Sequence, residues 1–307
     1  MGKARALAGQ AGRIGVTRTM KHLAAPPMCA HQRAMDGFLP QDHWTRIGQG
    51  ASADVWAVDD RQVVKLFRAD VNDVPIALEY AAGQWAAAQG IPVARPIGRV
   101  ILGERSGILF ERIDGPDMLS MILKRPFRMW RLIRRLARLQ ARIHRCPAAE
   151  ALPRQIDVLR HRVARSLAGE AAIAAAERLL DSAPPGNRLV HGDLHPANLL
   201  LAPRGTIIID WAQAASGVPA ADVARTELLL RFGTVGGGQV SALAGAITAR
   251  WYRHCYVHYS GLDSAALDSW RLPIAVAWHR GQVGQAEARL VKWIARLTAR
   301  SPRHCAQ

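Results

Sequence analysis

Apolar and polar positions alternate along three short segments, residues 45–47, 53–58 and 62–67. A period of two is typical of β-strands, and turn residues separate these segments. In the third segment Lys65 lies on the same face as Val63 and Phe67. A charged side chain inside an otherwise apolar strand indicates that an anion lies nearby.

The next segment has the signals of a helix. Asn72 and Asp73 can cap a helix over residues 74–89. Glu79 lies in its second turn. If this helix packs against the strands, Glu79 can pair with Lys65 and orient the ammonium group. A solvated helix face is the alternative role for Glu79.

Beyond this helix the pattern predicts one more hairpin and then a mainly helical region. The hairpin covers 99–102 and 107–113, and Asp114-Gly115-Pro116 breaks it, so the boundary between two lobes is expected there. The clearest helix is 126–145, with apolar residues at i, i+3, i+4 and i+7 and Arg over much of the remaining surface. Further helices are predicted at 155–167, 171–180, 241–259, 265–271 and 273–297.

The composition sets the class of protein. The chain has 307 residues, 50% hydrophobic and 21% charged, which excludes disorder as a description of the whole. No run approaches the roughly 18 apolar residues of a membrane-spanning helix, which argues against an integral membrane protein. The formal net charge is +17. This charge allows a nucleic-acid or anionic membrane partner, but an Arg-rich genome composition explains it equally well.

Two further features bear on location. The four Cys residues are scattered without metal-binding or disulfide spacing, so the default expectation is the reducing cytoplasm. Residues 1–35 are basic and contain no acidic residue, and they lack the apolar core of a secretory signal. We interpret 1–35 as a disordered extension, although an organellar transit peptide would look similar.

The segment from His191 to Asp210 carries the strongest candidate chemistry. Two apolar strands, 199–201 and 206–209, are predicted to fold back around Arg204, which would set Asn198 opposite Asp210. An amide oxygen and a carboxylate at that spacing could share one or two divalent cations. Asp193 lies on the loop that leads into the hairpin.

His191-Gly-Asp193-Leu-His-Pro-Ala-Asn198, followed by Ile-Ile-Asp210-Trp, resembles the catalytic loop and metal-binding segment of the aminoglycoside phosphotransferase and choline kinase group, within the protein-kinase-like fold. The resemblance covers about residues 42–232. It implies an α+β, bilobal fold with a small antiparallel-sheet N-lobe and a larger, mainly helical C-lobe. The expected domains are the extension 1–35, a nucleotide-binding N-lobe at 42–114, and a C-lobe at 115–300 that holds the catalytic loop and the acceptor site.

The resemblance also implies roles for individual residues. Asp193 would be catalytic, and Asn198 with Asp210 would hold Mg²⁺ on ATP. Asp222 would anchor the catalytic loop through hydrogen bonds, and His191 would brace it. The residues expected to bind the nucleotide are Gly48, Gly50 and Ser52 of a phosphate loop, Lys65, its partner Glu79, and Glu111 in the linker.

The expected activity is ATP-dependent transfer of the γ-phosphate to a hydroxyl group of a small molecule. From residue 241 onward the acidic residues are few, namely Asp263, Asp268 and Glu287, so a polycationic aminoglycoside is a poorer substrate than a neutral or anionic metabolite, sugar or lipid headgroup. Two alternatives stay open: a nucleotide-binding regulatory module with a basic surface for nucleic acid or membrane, and an atypical protein kinase. A nucleic-acid partner is the less favoured reading, and the oligomeric state is open.

Overall fold

The computed structural model describes residues 44–50, 52–235, 238–239, 242–279 and 285–301. The interpretation of residues 1–35 therefore lies outside the described residues. An antiparallel sheet forms the N-terminal part and helices form most of the rest. This confirms the bilobal α+β fold expected from the sequence.

The N-terminal sheet has five strands in the order β1-β2-β3-β5-β4, and every neighbouring pair is antiparallel. One helix, α1, covers a face of it. As predicted, Lys65 and Phe67 share the face towards α1, while Val64 and Leu66 are buried on the opposite face. The elements are β1 (Thr45–Gln49), β2 (Ala53–Ala57), β3 (Gln62–Phe67), α1 (Asp73–Ala88), β4 (Pro96–Leu102) and β5 (Arg105–Glu111).

In the helical part α3 packs against α7, and the apolar stripe of α3 is buried as its spacing predicts. A 3-10 turn at Pro126–Arg128 precedes α3, so the predicted helix 126–145 begins irregularly. The α-helices of this part are α2 (Met118–Lys124), α3 (Met129–Ile143), α4 (Gln155–Ala164), α5 (Glu170–Asp181), α6 (Pro219–Phe232), α7 (Ala242–Ser260), α8 (Ser264–Asp268), α9 (Arg271–Trp278) and α10 (Gln285–Arg300).

The remaining strands are short and form three two-stranded sheets, β6 with β9, β7 with β8, and β10 with β11. Hairpin β7–β8 is tied to the segment after α1, because Ile208 donates its N–H to Pro92 and accepts from Ala94. This contact brings the end of the hairpin to the N-terminal sheet. The strands are β6 (Arg188–Val190), β7 (Leu199–Ala202), β8 (Gly205–Ile208), β9 (Ala215–Gly217), β10 (Thr234–Val235) and β11 (Gly238–Gln239).

The predicted register of hairpin β7–β8 is wrong by one residue. Leu199 pairs with Ile208 and Ala202 with Gly205, so the turn has the two residues Pro203 and Arg204. Asn198 therefore faces Ile209, which donates its N–H to the Asn198 carbonyl, and Asp210 lies one residue beyond. A two-residue turn moves the centre of the hairpin from a residue to a bond, and alternation alone does not distinguish these cases.

The long helix predicted over 273–297 is also wrong. It is divided into α9, which ends at Trp278, and α10, which begins at Gln285. His279 has an extended backbone with ψ 116°. An extended residue cannot continue the i to i−4 hydrogen bonds of a helix, so α9 ends here. No described helix is long and apolar enough to cross a membrane.

Candidate active site

The loop from His191 to Asn198 connects β6 to β7 and is held from below by Asp222 of α6. The Asp222 carboxylate is fully buried and accepts the N–H groups of Gly192 at 2.7 Å and His191 at 3.3 Å. Gln140 donates to it from α3 at 2.9 Å, and His144 Nε2 lies 3.0 Å away. Asp222 therefore anchors the loop backbone, as the resemblance implies.

The pKa of Asp222 reflects this satisfied environment. Burial works to raise it, but hydrogen bonds from His144 and Gln140 outweigh burial and lower the pKa below its usual value. Gly192 is required beside it, because its φ is +78° and an added Cβ would lie 2.2 Å from the Gln213 carbonyl oxygen. The loop is thus fixed to α3 and α6 before any ligand binds.

His191 braces the loop. Its ring is fully buried, and burial lowers its pKa, so it is neutral at pH 7. Nδ1 accepts the Asp193 N–H at 3.3 Å and Nε2 lies 3.1 Å from the Ile209 carbonyl oxygen. Because a carbonyl only accepts, the proton is on Nε2. The ring also contacts buried Trp211, so both side chains are used for packing.

Asp193 carries an ionised carboxylate. Arg225 Nη2 lies 2.9 Å from Oδ1, and His195 Nε2 lies 3.7 Å from Oδ2. Burial works to raise the pKa of Asp193, but these two groups outweigh it and lower the pKa to about 2. The carboxylate is therefore a good acceptor of hydrogen bonds and a weak base.

Arg225 is a site residue that sequence reasoning missed. Besides Asp193, it faces the Gly192 carbonyl oxygen at 3.4 Å, and its guanidinium lies 4.7 Å from the ring centre of Trp278. The missed signal was the i, i+3 spacing from Asp222 to Arg225, which puts both on the same side of α6. One helix thus supplies an anion for the loop backbone and a cation for the loop carboxylate.

Lys65 joins the two lobes. Its Nζ lies 2.7 Å from Glu79 Oε1 and 2.9 Å from Asp210 Oδ1. Burial works to lower the pKa of Lys65, but the two carboxylates outweigh it and raise the pKa. The ammonium group is therefore charged, and the pairing predicted with Glu79 is present.

Asp210 and Asn198 are the candidate metal ligands. Asp210 has φ 64°, the one non-glycine residue with positive φ in the described chain, and such strain is typical of functional positions. Asn198 donates its Nδ2 to the Asp193 carbonyl at 2.9 Å, which leaves Oδ1 as its ligand atom. An amide oxygen and a carboxylate are hard donors that suit Mg²⁺ if phosphate oxygens and water complete the octahedron.

No group of three or more His, Cys, Asp or Glu of metal-binding geometry occurs among the described residues. A cation here would therefore depend on oxygen atoms of its ligand as well as on Asn198 and Asp210. This dependence is typical of Mg²⁺ bound together with a nucleotide.

The phosphate-loop candidates Gly48, Gly50 and Ser52 lie at the β1–β2 turn, in which Ala51 is outside the described residues. The Gly50 N–H donates to Ala53 at 2.8 Å, and the Ser52 carbonyl accepts from the Arg68 N–H at 3.0 Å. These bonds shape a tight turn. Their role in nucleotide binding stays a prediction.

Glu111 is not one of the described ion-pair partners of Lys65, which are Glu79 and Asp210. It ends β5, and its two carboxylate oxygens accept from the Arg204 guanidinium at 2.6 and 2.9 Å. The Arg204 hydrogen bonds lower the pKa of Glu111. This side chain therefore links the sheet to the β7–β8 turn, and its expected part in nucleotide binding stays a prediction.

Aromatic residues of α7 lie in the core, whereas one of α9 lies beside the catalytic loop. Tyr252 and Tyr256 are fully buried and hydrogen-bond to Gln140 and His144 of α3, so they belong to the core rather than to an acceptor pocket. Trp278 of α9 contacts Arg225 beside the catalytic loop.

Solved structures with the same fold include several phosphotransferases. A thermostable mutant of aminoglycoside phosphotransferase APH(4)-Ia, in complex with AMP-PNP and hygromycin B, has a TM-score of 0.59 and 13% identity over 84% of this chain and 92% of that chain. An amicoumacin kinase in complex with AMP-PNP, Ca²⁺ and Ami has a TM-score of 0.58 and 13% identity, over 86% of this chain and 90% of that chain. A choline/ethanolamine kinase family protein from Mesorhizobium loti has a TM-score of 0.57 and 14% identity, over 83% and 87%.

At these identities the structural likeness shows the fold alone. The sequence matches none of the curated proteins with which it was compared. The model of the phosphotransferase enzyme family matches residues 43–252, which is more than half of the chain and includes the catalytic loop, Lys65 and Asp210. The chain therefore belongs to the phosphotransferase enzyme family.

Proposed function

We propose that this protein is an ATP-dependent, Mg²⁺-requiring phosphotransferase that moves the γ-phosphate of ATP to a hydroxyl group of a small molecule. The observation that carries the proposal is the contact of Lys65 with both Glu79 and Asp210, at 2.7 and 2.9 Å. It brings the candidate phosphate-binding cation of the sheet to the candidate metal-binding carboxylate of the other lobe. Asp193 lies on the loop that enters the same hairpin.

Each charged group has a place in this reaction. Lys65 would contact the phosphates, and Asn198 and Asp210 would hold the metal ion. Mg²⁺, when bound, neutralises phosphate oxygens and the charge that develops on the leaving group. The contribution of the chain is to position charges in a cleft and to exclude water, which accounts for most of the catalysis in phosphoryl transfer.

Asp193 would orient the acceptor hydroxyl rather than remove its proton early. Arg225 and His195 lower its pKa to about 2, which makes it a poor base at neutral pH. In a loose transition state the hydroxyl becomes acidic only after bond formation to phosphorus has begun. A carboxylate that accepts the hydroxyl hydrogen bond and points the oxygen at phosphorus is sufficient for that step.

The acceptor is expected to be neutral or anionic. The three acidic residues of the C-terminal helices are already engaged. Asp263 caps α8 through the Ala265 N–H. Asp268 lies 2.8 Å from Arg253 and 2.6 Å from Arg271, and Glu287 lies 3.3 Å from His279. They do not form an acidic surface for a polycation.

The first test is thermal unfolding with and without Mg·ATP. At about 100 times Kd, a ligand stabilises the folded state by roughly 2.7 kcal/mol, or about 5 to 10 °C here. We expect this shift in the wild type and in Asp193→Ala, and a smaller one in Asp210→Ala. Turnover, measured as ADP release with a panel of hydroxyl acceptors, should be lost in Asp193→Ala. A wild type without a shift, or an active Asp193→Ala, would overturn the proposal.

A further inference from the structure

An exposed basic and apolar segment lies at the junction of α2 and α3, and it includes none of the candidate active-site residues. Six consecutive residues, 123–128, are exposed, with the sequence Leu-Lys-Arg-Pro-Phe-Arg. Leu123 is 56% exposed and Phe127 is 75% exposed. Trp130, one turn later, is 44% exposed. Large apolar side chains are usually buried, so three within eight residues require an explanation.

The start of α7 extends this surface. Leu243 is 71% exposed and Ile247 is 42% exposed. Thr248, next to Ile247, lies 3.4 Å from Met129 Sδ, and Trp251 donates its Nε1 to the Trp130 carbonyl at 2.9 Å. The two helices therefore present their exposed apolar residues side by side. We name as the docking face the apolar residues Leu123, Phe127, Trp130, Leu243 and Ile247 together with the cations Lys124, Arg125, Arg128 and Arg131.

The charge of the docking face has a single sign. The sequence contains no acidic residue from 118 to 149 or from 228 to 262, the two stretches that include these helices. Nine basic residues fall in the first stretch. All four cations of the docking face are exposed, and none of them forms an ion pair within the part of the chain that the structure describes. Their charge is thus available to an anionic partner.

We propose that the docking face binds the surface of an anionic lipid bilayer. Lys and Arg are attracted to acidic headgroups, while Leu, Phe and Trp enter the boundary between headgroups and acyl chains. Charge attraction and apolar insertion together bind a bilayer more stably than either alone, and the docking face combines both. A nucleic acid fits less well, because phosphates pair with the cations and bases stack on Phe and Trp, but the aliphatic Leu123, Leu243 and Ile247 gain nothing from bases.

The docking face is connected to the active site by a single helix. Met118, at the start of α2, is fully buried, and α2 packs against the 3-10 turn Pro196–Asn198 that carries a candidate metal ligand. From there α2 runs seven residues, about 10 Å, to the exposed segment. Bilayer binding therefore holds the catalytic loop close to the membrane surface without using any catalytic residue.

The test uses the full chain and co-sedimentation with vesicles of zwitterionic phosphatidylcholine, with or without anionic phosphatidylglycerol. The wild type should bind the vesicles that contain phosphatidylglycerol and should not bind those of phosphatidylcholine alone. Leu123→Ser combined with Phe127→Ser should lower the partition coefficient about tenfold at both low and high salt, because apolar insertion is not screened. Arg125→Gln combined with Arg128→Gln should lower it about tenfold at low salt and much less at high salt.

Matched controls remove the same chemistry elsewhere. Leu167 is 68% exposed in the connection between α4 and α5. Arg165 and Arg178, which precede and follow it in the sequence, are also exposed. Leu167→Ser, and Arg165→Gln combined with Arg178→Gln, should leave partitioning within about twofold. Equal losses in controls and docking-face variants would show binding by net charge alone and overturn the proposal.

A second arm tests nucleic acid with a single-stranded and a duplex oligonucleotide. Binding to either that depends on Arg125 and Arg128, without vesicle binding, would replace the bilayer as the partner and overturn the proposal. Circular dichroism confirms that each variant is folded, and the outcome does not depend on whether the phosphotransferase activity is found.

Discussion

The sheet side and the helical side of the candidate active site, which we call its two walls, hold their candidate functional charges by opposite arrangements. On the sheet side the working group is a cation, Lys65, and a buried carboxylate, Glu79, orients it at 2.7 Å. On the helical side the working group is a carboxylate, Asp193, and a half-buried cation, Arg225, orients it at 2.9 Å. Each wall therefore supplies a charge of fixed sign and a partner of the opposite sign.

The difference between the walls lies in what the partner does to reactivity. Glu79 and Asp210 stabilise the charged form of Lys65 and so keep its ammonium group protonated for a phosphate. His195 and Arg225 stabilise the charged form of Asp193 and so weaken it as a base. The same ion-pair geometry supports charge neutralisation on one side and limits proton removal on the other.

The largest effect is expected from Lys65→Met. It removes the proposed phosphate-binding cation and leaves Glu79 buried without its partner, so kcat/KM for ATP should fall by about 10²- to 10³-fold. Steady-state kinetics of ADP release measures this.

Glu79→Gln is the matched variant, since Lys65 keeps Asp210 at 2.9 Å. We expect a smaller loss of about tenfold, mostly in KM for ATP. If Glu79→Gln were as damaging as Lys65→Met, the carboxylate would do more than orient the ammonium group.

The next effect sharpens the other wall. Arg225→Gln should lower kcat by about 10- to 50-fold with little change in KM for ATP, because the Asp193 carboxylate loses its orientation and the nucleotide contacts are untouched. Arg225→Lys should recover part of kcat. It keeps the charge but lacks the guanidinium plane that contacts both Asp193 and the ring of Trp278.

A purely structural role for Arg225 predicts a different result. Both variants would then lose kcat in proportion to their loss of melting temperature, and Arg225→Lys would recover no kcat beyond what its melting temperature explains. Thermal unfolding of the two variants beside the kinetics separates these outcomes.

The contrast between the walls also explains what the sequence could reveal. Lys65, Glu79 and the strands around them follow from alternation, a cap and a helical turn, all of which are local signals. Asp193, Asn198 and Asp210 follow from a motif with fixed spacing. Arg225 was missed because its partner Asp193 is 32 residues away, and the i, i+3 spacing from Asp222 does not by itself mark a cation as functional.

Two predictions failed for related reasons. The hairpin register depended on whether Gly205 belongs to the turn or to β8, and the backbone of Ile209 and Asn198 decides this through a hydrogen bond that alternation does not encode. The division of the predicted helix 273–297 occurs at His279, whose extended backbone a continuous apolar pattern does not encode. In both cases the type of element was right, and the error was in its boundary.

A smaller effect is expected from Asp222, the residue that anchors the loop of the helical wall. Asp222→Asn should lower the free energy of unfolding by about 2 kcal/mol, because the new amide group faces the donors of Gly192 and Gln140. The wild-type pKa of Asp222 is lowered by folding, so its contribution is present above the unfolded pKa of about 3.9 and is lost as pH falls through the folded pKa. The difference between wild type and variant should therefore be constant above about pH 5 and shrink in acid.

Urea unfolding across this pH range measures the difference. A gap that widened towards acid would contradict an ionised Asp222.

The smallest effect tests the link between the walls. Glu111 and Arg204 form a bidentate pair, but their side chains are 35% and 50% exposed, so solvent screens the attraction. Glu111→Gln and Arg204→Gln should each lower the free energy of unfolding by less than about 1 kcal/mol, and the double variant should cost no more than either one alone. The same variants decide whether Glu111 binds nucleotide. With its carboxylate occupied by Arg204, Glu111→Gln should leave the Mg·ATP-induced shift in melting temperature unchanged, whereas a reduced shift in Glu111→Gln but not in Arg204→Gln would assign the carboxylate to the nucleotide site.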